Sequence, residues 1–342
     1  MSLANTMRAF VLTGHGDMDK LVFHENWPVP KPEQGEVLIE VHACGLNNTD
    51  VNTRTGWYGR GWSGSVMFPR IQGADPIGRV VAVGESVDPA LIGQRVLVDS
   101  WLRSPDGALD KAGYLGSERD GGYAEFVTVP AANAYPIESN LSDVELASFP
   151  CSYATAEHML HRPNVRSGQW VLVTGASGGV GGALVQLAKR RAARVIAVTS
   201  AAKVDDVRAI GADVVLDRAM PNLGEAVLEL SSGVDVFADV VGGDLFAGLF
   251  ETIRRGGHYA TSGAIAGPIV SLDLRTLYLR DLTMHGATVL QPEVFANLVG
   301  YIERGEITPI VAGTFALEEM KKAQEEFMKK EHVGNLVIEV TK

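Results

Sequence analysis

Residues 170–186 read Trp-Val-Leu-Val-Thr-Gly-Ala-Ser-Gly-Gly-Val-Gly-Gly-Ala-Leu-Val-Gln, and this stretch decides the fold. The apolar run 171–173 predicts a buried parallel strand. Gly175, Gly178 and Gly181 follow at three-residue spacing, and Ala183, Leu184, Leu187 and Ala188 then continue with helical periodicity. A strand, a glycine turn and a helix N-terminus in that order build an anion site. Backbone N–H groups and the helix dipole point at a pyrophosphate, and only glycine lets the main chain approach it closely. A glycine triplet alone is weak evidence, but placed between a strand and a helix it is a dinucleotide-binding signature.

Working outward, residues 171–174, 195–198, 214–216, 234–238 and 257–262 read as strands alternating with helical stretches, and 282–289 reads as a sixth strand. Such alternation implies right-handed crossovers and a doubly wound parallel sheet. Before residue 135 the rhythm is different. Residues 7–12, 37–43, 78–83, 94–98 and 123–129 read as short strands separated by Gly, Pro and Asp, which predicts a partly closed β domain. Stretches 292–304 and 317–330 read as helices, and 335–340 as a last strand returning to the first domain. The expected division is 1–138 plus 291–342 for the β domain and 139–290 for the dinucleotide-binding domain.

The bulk properties narrow the function. The 342 residues are enough for two domains, and 46% hydrophobic with 21% charged residues is ordinary for a globular chain. A net charge of −11 without a basic run argues against nucleic acid as a partner. No apolar run is long enough to span a membrane, and the N-terminus lacks the pattern of a secretory signal. Two cysteines, Cys44 and Cys151, are too few for a disulfide framework and suit a reducing cytoplasm.

The second strand of a dinucleotide fold ends near the adenosine ribose, where a carboxylate marks NAD. Here it ends Ala197-Val198-Thr199-Ser200, with Lys203 close behind and no carboxylate at the strand end. A hydroxyl and an ammonium suit a 2′-phosphate. NADP(H) is therefore expected rather than NAD(H), although Lys203 also reads as an ordinary lysine in a first helical turn. Arg208 reads either as a helper or as a solvent-facing cation.

These motifs, with Arg208-Ala209-Ile210-Gly211-Ala212-Asp213, the stretch 233–243, Gly256-Gly257, Ser262-Gly263 and His332-Val333-Gly334-Asn335, resemble the medium-chain dehydrogenase/reductase superfamily over essentially the whole chain. The resemblance implies an N-terminal partly open, GroES-like β-barrel catalytic domain beside a Rossmann domain. It also implies a nucleotide held by Thr155, Gly175, Ala176, Ser177, Gly178, Gly179, Val180, Gly181, Ser200, Lys203, Val241, Gly242, Ser262, Gly263 and Asn335. Asn335 stands where the family often has lysine, which puts the role of that position in doubt.

Zinc-dependent members take ligands from a Cys-Gly-x-Cys-x-x-Asp segment, a Gly-His-Glu segment and a later cysteine or acid. This chain has Asn47 in Cys44-Gly45-Leu46-Asn47-Asn48-Thr49-Asp50, and Ala74 in Gly73-Ala74-Asp75. Only Cys151 matches a ligand position. An amide, a methyl group and one thiol do not make a three-ligand zinc site, and 98–122 lacks the cysteines of a structural zinc lobe. No metal is expected. His158 and His161 lie three apart on a predicted helix but lack a ligand partner, so helix surface is the expectation for both.

Without a Lewis acid, hydride transfer to a simple ketone leaves an alkoxide with nothing to stabilise it. A conjugated acceptor spreads that charge onto a remote oxygen, where hydrogen-bond donors suffice. The stretch 47–58 resembles the zinc-free quinone and enoyl reductase branch. The expected reaction is NADPH-dependent reduction of a small conjugated acceptor: a quinone, an enone or enal, or an enoyl thioester. The alternatives are a zinc-type alcohol dehydrogenase and a non-catalytic NADPH-binding protein. The catalytic candidates are Asn47, Asp50 and Tyr58. Asn47 either orients substrate or forms a turn, Asp50 either pairs with Arg54 or caps the following helix, and Tyr58 is either a donor or an aromatic gate. Trp57, Trp62 and Trp101 suggest a flat apolar acceptor or plain packing. The exposed edge expected of the sixth strand predicts a homodimer, or a tetramer.

Overall fold

The computed structural model describes residues 4–58 and 66–341. Trp62 lies outside the described residues. The chain divides into two compact units: residues 1–151, 295–304 and 309–342 form the first, and residues 152–294 and 305–308 the second. The first boundary falls after Cys151 rather than after 138, because the capped turn of helix Asp143–Leu146 packs on the strands of the first unit.

The second unit is built on a six-stranded parallel sheet. In sheet order its strands are Val214–Asp217, Arg194–Thr199, Trp170–Thr174, Val234–Asp239, Ile253–Thr261 and Thr283–Gly286. The order 3-2-1-4-5-6 reverses at Trp170–Thr174, which is the doubly wound arrangement with its ligand crevice at the carboxyl ends of the strands beside that switch point. Near-continuous burial of Val234–Asp239 and of Val171, Leu172 and Val173 is what a sheet covered on both faces requires. Phe237, Phe246, Phe250 and Tyr259 stack edge-to-face or tilted on one side of this sheet, with centroids 5.2–5.8 Å apart.

The first unit is antiparallel for the most part. Its largest sheet runs Ala134–Pro136, Arg95–Val98, Asp75–Val83, Glu36–Leu46, Asn335–Glu339 and Val311–Ala316, with Phe126–Pro130 also paired to Glu36–Leu46. A smaller sheet joins Leu21–Pro28, Thr6–Leu12 and Arg70–Ile71. The core between them is aliphatic, from Val11 and Leu12 through Val37, Ile39 and Val41 to Leu336 and Ile338. The expected return of the last strand is seen: Leu336–Glu339 register against Leu46–Ala43.

Besides several strands of two or three residues, two longer strands among the described residues were not expected from the sequence. Leu21–Pro28 carries His24, Glu25 and Asn26 and is largely outward-facing, so it shows no alternation. Val311–Ala316 is an edge strand interrupted by Gly313, and its register shifts there. The expectation for His158 is corrected. It lies on helix Pro150–His161 but is buried, on the inward stripe it shares with Ala154 one turn earlier, whereas His161 is exposed.

Candidate active site and nucleotide cradle

Gly175 takes a left-handed backbone (φ +61°), which turns the chain sharply at the end of the first strand. Gly178 then serves as the N-cap of helix Gly179–Arg190, and its N–H returns to the Gly175 carbonyl at 3.0 Å. A Cβ on Gly181 would lie 2.0 Å from the Gly175 oxygen, so only glycine lets this helix sit so close to the turn. The first intrahelical bond at this end is Gly182 N–H to Gly178 O. The N–H groups of the first turn, from Gly179, Val180 and Gly181, are thus of the kind a helix leaves for an outside acceptor. Ala176 is buried beneath the turn, with Ser177 half-exposed.

A second turn, residues 239–243, begins at the end of the neighbouring strand Val234–Asp239. The buried Asp239 carboxylate accepts from the Thr174 hydroxyl, from Val241 N–H at 2.9 Å, from Gly242 N–H at 3.2 Å and from the Tyr259 hydroxyl at 3.0 Å. It therefore fixes the turn carrying Val241 and Gly242 to the strand that leads into the glycine cradle. Asp239 was not among the residues expected from the sequence; its signal was an acidic residue closing a strand that is apolar apart from it and Asp235. Ser262 and Gly263 follow the next strand, with the Ser262 hydroxyl 3.0 Å from the Met159 sulfur. Thr155 is half-exposed on helix Pro150–His161.

At the end of Arg194–Thr199, Ser200 starts the turn Ala201–Lys203, and Lys203 is the N-cap of helix Val204–Ile210. Arg208 pairs with Asp205 at 2.6 Å on the exposed face of that helix. A further cation is placed here by strand pairing: Asp217 registers with Thr199, and Arg218 N–H donates to the Thr199 carbonyl at 2.7 Å. The Thr199 strand end is thus followed by Ser200 and Lys203 and flanked by the backbone of Arg218. Arg218 was invisible in the sequence because eighteen residues separate it from Ser200. Asn335 begins a strand of the first unit, with its N–H on the Ile310 carbonyl.

The first unit holds a buried polar cluster. Helix Asn48–Thr55 begins with Asp50 accepting from the backbone N–H of Asn47 at 2.8 Å, so the helix-capping role expected of Asp50 is the one observed. Arg54 does not pair with it. Its guanidinium instead holds Gln324 at 2.9 Å and the Gly16 carbonyl at 2.8 Å. The Tyr123 hydroxyl lies 2.8 Å from the same Asp50 oxygen. Burial raises the Asp50 carboxyl to about 6, against the opposing hydrogen bonds from Asn47 and Tyr123.

Asp75 is equally buried. It accepts from Asn47 Nδ2 at 2.9 Å and from Cys151 N–H at 3.0 Å, and burial holds its carboxyl well above the ordinary range. Asn47 therefore spans both acids. Its side-chain nitrogen, the donor expected to meet a substrate oxyanion, is already turned to Asp75 and, at 3.5 Å, to the Gly45 carbonyl. Tyr58 is half-exposed, with hydrogen bonds to Thr49 and Asn52, and burial raises its hydroxyl so that it stays protonated at neutral pH. Trp57 meets Tyr58 edge-on and is exposed, whereas Trp101 is buried against Tyr114.

The residues at the family's metal positions do not fit a zinc ion. Ala74 has no donor atom, the Asn47 amide is bonded to Asp75, and Cys151 is the one strong ligand. Among the described residues no group of three or more His, Cys, Asp or Glu is arranged to hold a metal.

Residues 33–139 match the alcohol dehydrogenase GroES-like domain and residues 179–304 the zinc-binding dehydrogenase domain. The acryloyl-coenzyme A reductase of Metallosphaera sedula is 30% identical, over 97% of this chain and 99% of the relative. The quinone oxidoreductase of Mus musculus is 27% identical, over 94% of each. The crystal structure of a putative alcohol dehydrogenase from Sinorhizobium meliloti 1021 superposes with a TM-score of 0.93 at 48% identity, covering 98% of this chain and 97% of that one. The chain belongs to the medium-chain dehydrogenase/reductase superfamily, and its family is one of oxidoreductases. No helix among the described residues is long and apolar enough to cross a membrane.

Proposed function

We propose that the protein is an NADPH-dependent reductase of small conjugated acceptors that works without a catalytic metal in the cytoplasm. The observation that carries this reading is the Asn47–Asp75 hydrogen bond beside Ala74, which replaces a ligand set with a closed polar network. The acryloyl-coenzyme A reductase and quinone oxidoreductase relatives support the acceptor class.

The bound nicotinamide supplies hydride. The chain's own residues do the rest. The N–H groups of Gly179, Val180 and Gly181 hold pyrophosphate, while Ser200, Lys203 and Arg218 present a hydroxyl and two cations to a 2′-phosphate. Asp239 fixes the turn that carries Val241 and Gly242. Tyr58, kept protonated, donates a hydrogen bond to the acceptor oxygen on which charge develops, and Asp50 anchors the helix that leads to it. Tyr58 or water would supply the proton that balances the hydride, so that the acceptor gains one hydride and one proton. A second copy of the chain pairs through the outer strand Thr283–Gly286, giving a homodimer.

The reading is checked by following NADPH oxidation against a panel of quinones, enals and enoyl thioesters, with and without a chelator. Turnover unchanged by chelation, and a strong preference over NADH, is expected. One zinc per chain, with activity on simple alcohols, would sink it in favour of an alcohol dehydrogenase. Tight NADPH binding without turnover would sink it in favour of a non-catalytic binder.

A further inference from the structure

His258 and His285 are twenty-seven residues apart in sequence but neighbours in the sheet of the second unit. His258 registers with Thr283, and Ala260 with His285, so the two imidazoles rise from the same face, one diagonal step apart. Nδ1 of His258 and Nε2 of His285 are 3.1 Å apart, with ring centroids 5.2 Å apart and planes inclined at 37°. Both side chains are half-exposed, on the outermost two strands.

That separation suits a shared ion. With metal–nitrogen bonds of about 2.0–2.1 Å, two nitrogens 3.1 Å apart subtend about 95–102° at the metal. This lies between the right angle of square-planar or octahedral coordination and the tetrahedral angle. We propose that His258 and His285 form a two-imidazole chelate for a divalent first-row transition ion, with water completing the shell.

The proton balance is simple. Each neutral ring carries one proton, and the proton now between the rings moves to the far nitrogen of its own ring as the ion takes its place. No redox partner is needed. Burial lowers both imidazoles below their ordinary value. Arg254 adds to this at His258, where Asp235 opposes it, and His258 and Arg162 add to it at His285. Both rings are therefore neutral ligands at pH 7. Arg254 is itself paired with Asp235, whereas Arg162 donates to the Gly286 carbonyl and keeps its charge nearby. That charge keeps affinity modest, and imidazole ligation puts Cu²⁺ ahead of Ni²⁺ and Zn²⁺.

Calorimetric titration of the metal-stripped chain with Cu²⁺, Ni²⁺ and Zn²⁺ at pH 7.5 is expected to show about one ion per chain, tightest for Cu²⁺, with a dissociation constant on the order of micromolar. The melting temperature should rise with the ion, and the Cu²⁺ electron paramagnetic resonance spectrum should show nitrogen coupling. His258→Gln and His285→Gln should each abolish both effects while leaving NADPH affinity intact. No saturable binding, or binding that survives both substitutions, would overturn the proposal. So would binding lost instead in Cys151→Ser, which would place the ion in the first unit. Because NADPH affinity and turnover are read separately, failure here leaves the proposed reaction standing, and the reverse holds too.

Discussion

Asn47 and Asp75 are joined side chain to side chain at 2.9 Å, and through that bond one asparagine ties together two buried acids, since its backbone N–H holds Asp50. Removing the amide leaves Asp75 with one donor fewer in a buried site. Asn47→Ala is expected to lose about 1–3 kcal/mol of stability at pH 7 in denaturant titration. A loss in activity with stability unchanged would instead assign Asn47 to substrate.

Asp50 gives a pH dependence whose sign is fixed. Its folded-state carboxyl is raised from 3.8 to about 6, so the folded protein binds this proton more tightly than the unfolded chain does. Its contribution is fully present below pH 3.8 and is lost as pH rises through about 6. Relative to Asp50→Asn, the wild type should lose about 2 kcal/mol between pH 4 and pH 7. Thermal melts of both proteins across that range check this, and a constant difference would refute it. Asp75, raised further, leaves a residual slope in the variant.

Lys203→Ala and Arg218→Ala each remove one cation from the strand end that also carries Ser200. Each is expected to raise the KM for NADPH roughly 10–100-fold while leaving that for NADH nearly unchanged. Equal losses with both nucleotides would mean that these side chains serve the fold rather than the phosphate.

Gly181→Ala forces a Cβ to within 2.0 Å of the Gly175 oxygen. The helix must move off the turn, so nucleotide binding should fall at least tenfold in fluorescence titration while secondary structure by circular dichroism persists. In the core, Phe246→Ala removes a ring packed on Phe250 and Tyr259 and should cost about 3–5 kcal/mol.

The outer strand Thr283–Gly286 is exposed along with Met284, Tyr278 and Leu279. Light scattering should give a dimer, and Met284→Lys should shift it toward monomer. A monomeric wild type would refute pairing through this edge.

The parallel sheet was legible in the sequence because its central strands, Arg194–Thr199, Trp170–Thr174 and Val234–Asp239, are short, mostly apolar runs. The glycine cradle was legible because its spacing is local. What escaped was whatever strand pairing assembles: Arg218 beside Ser200, Asp239 beneath the cradle, and His258 against His285. The buried acids escaped for another reason. Nothing in Asn47-Asn48-Thr49-Asp50 reveals that the amide is occupied by a residue twenty-eight positions away.

The strand Asn335–Glu339 lies between Glu36–Leu46 and Val311–Ala316, so the first unit closes its largest sheet with residues synthesised after the whole of the second unit. The second unit needs only 152–294 and the short segment 305–308. During synthesis the nucleotide-binding half is therefore finished first, while Glu36–Leu46 waits with part of one edge open. A nascent chain stalled before residue 335 would carry a mature Rossmann half and an adhesive, half-built barrel.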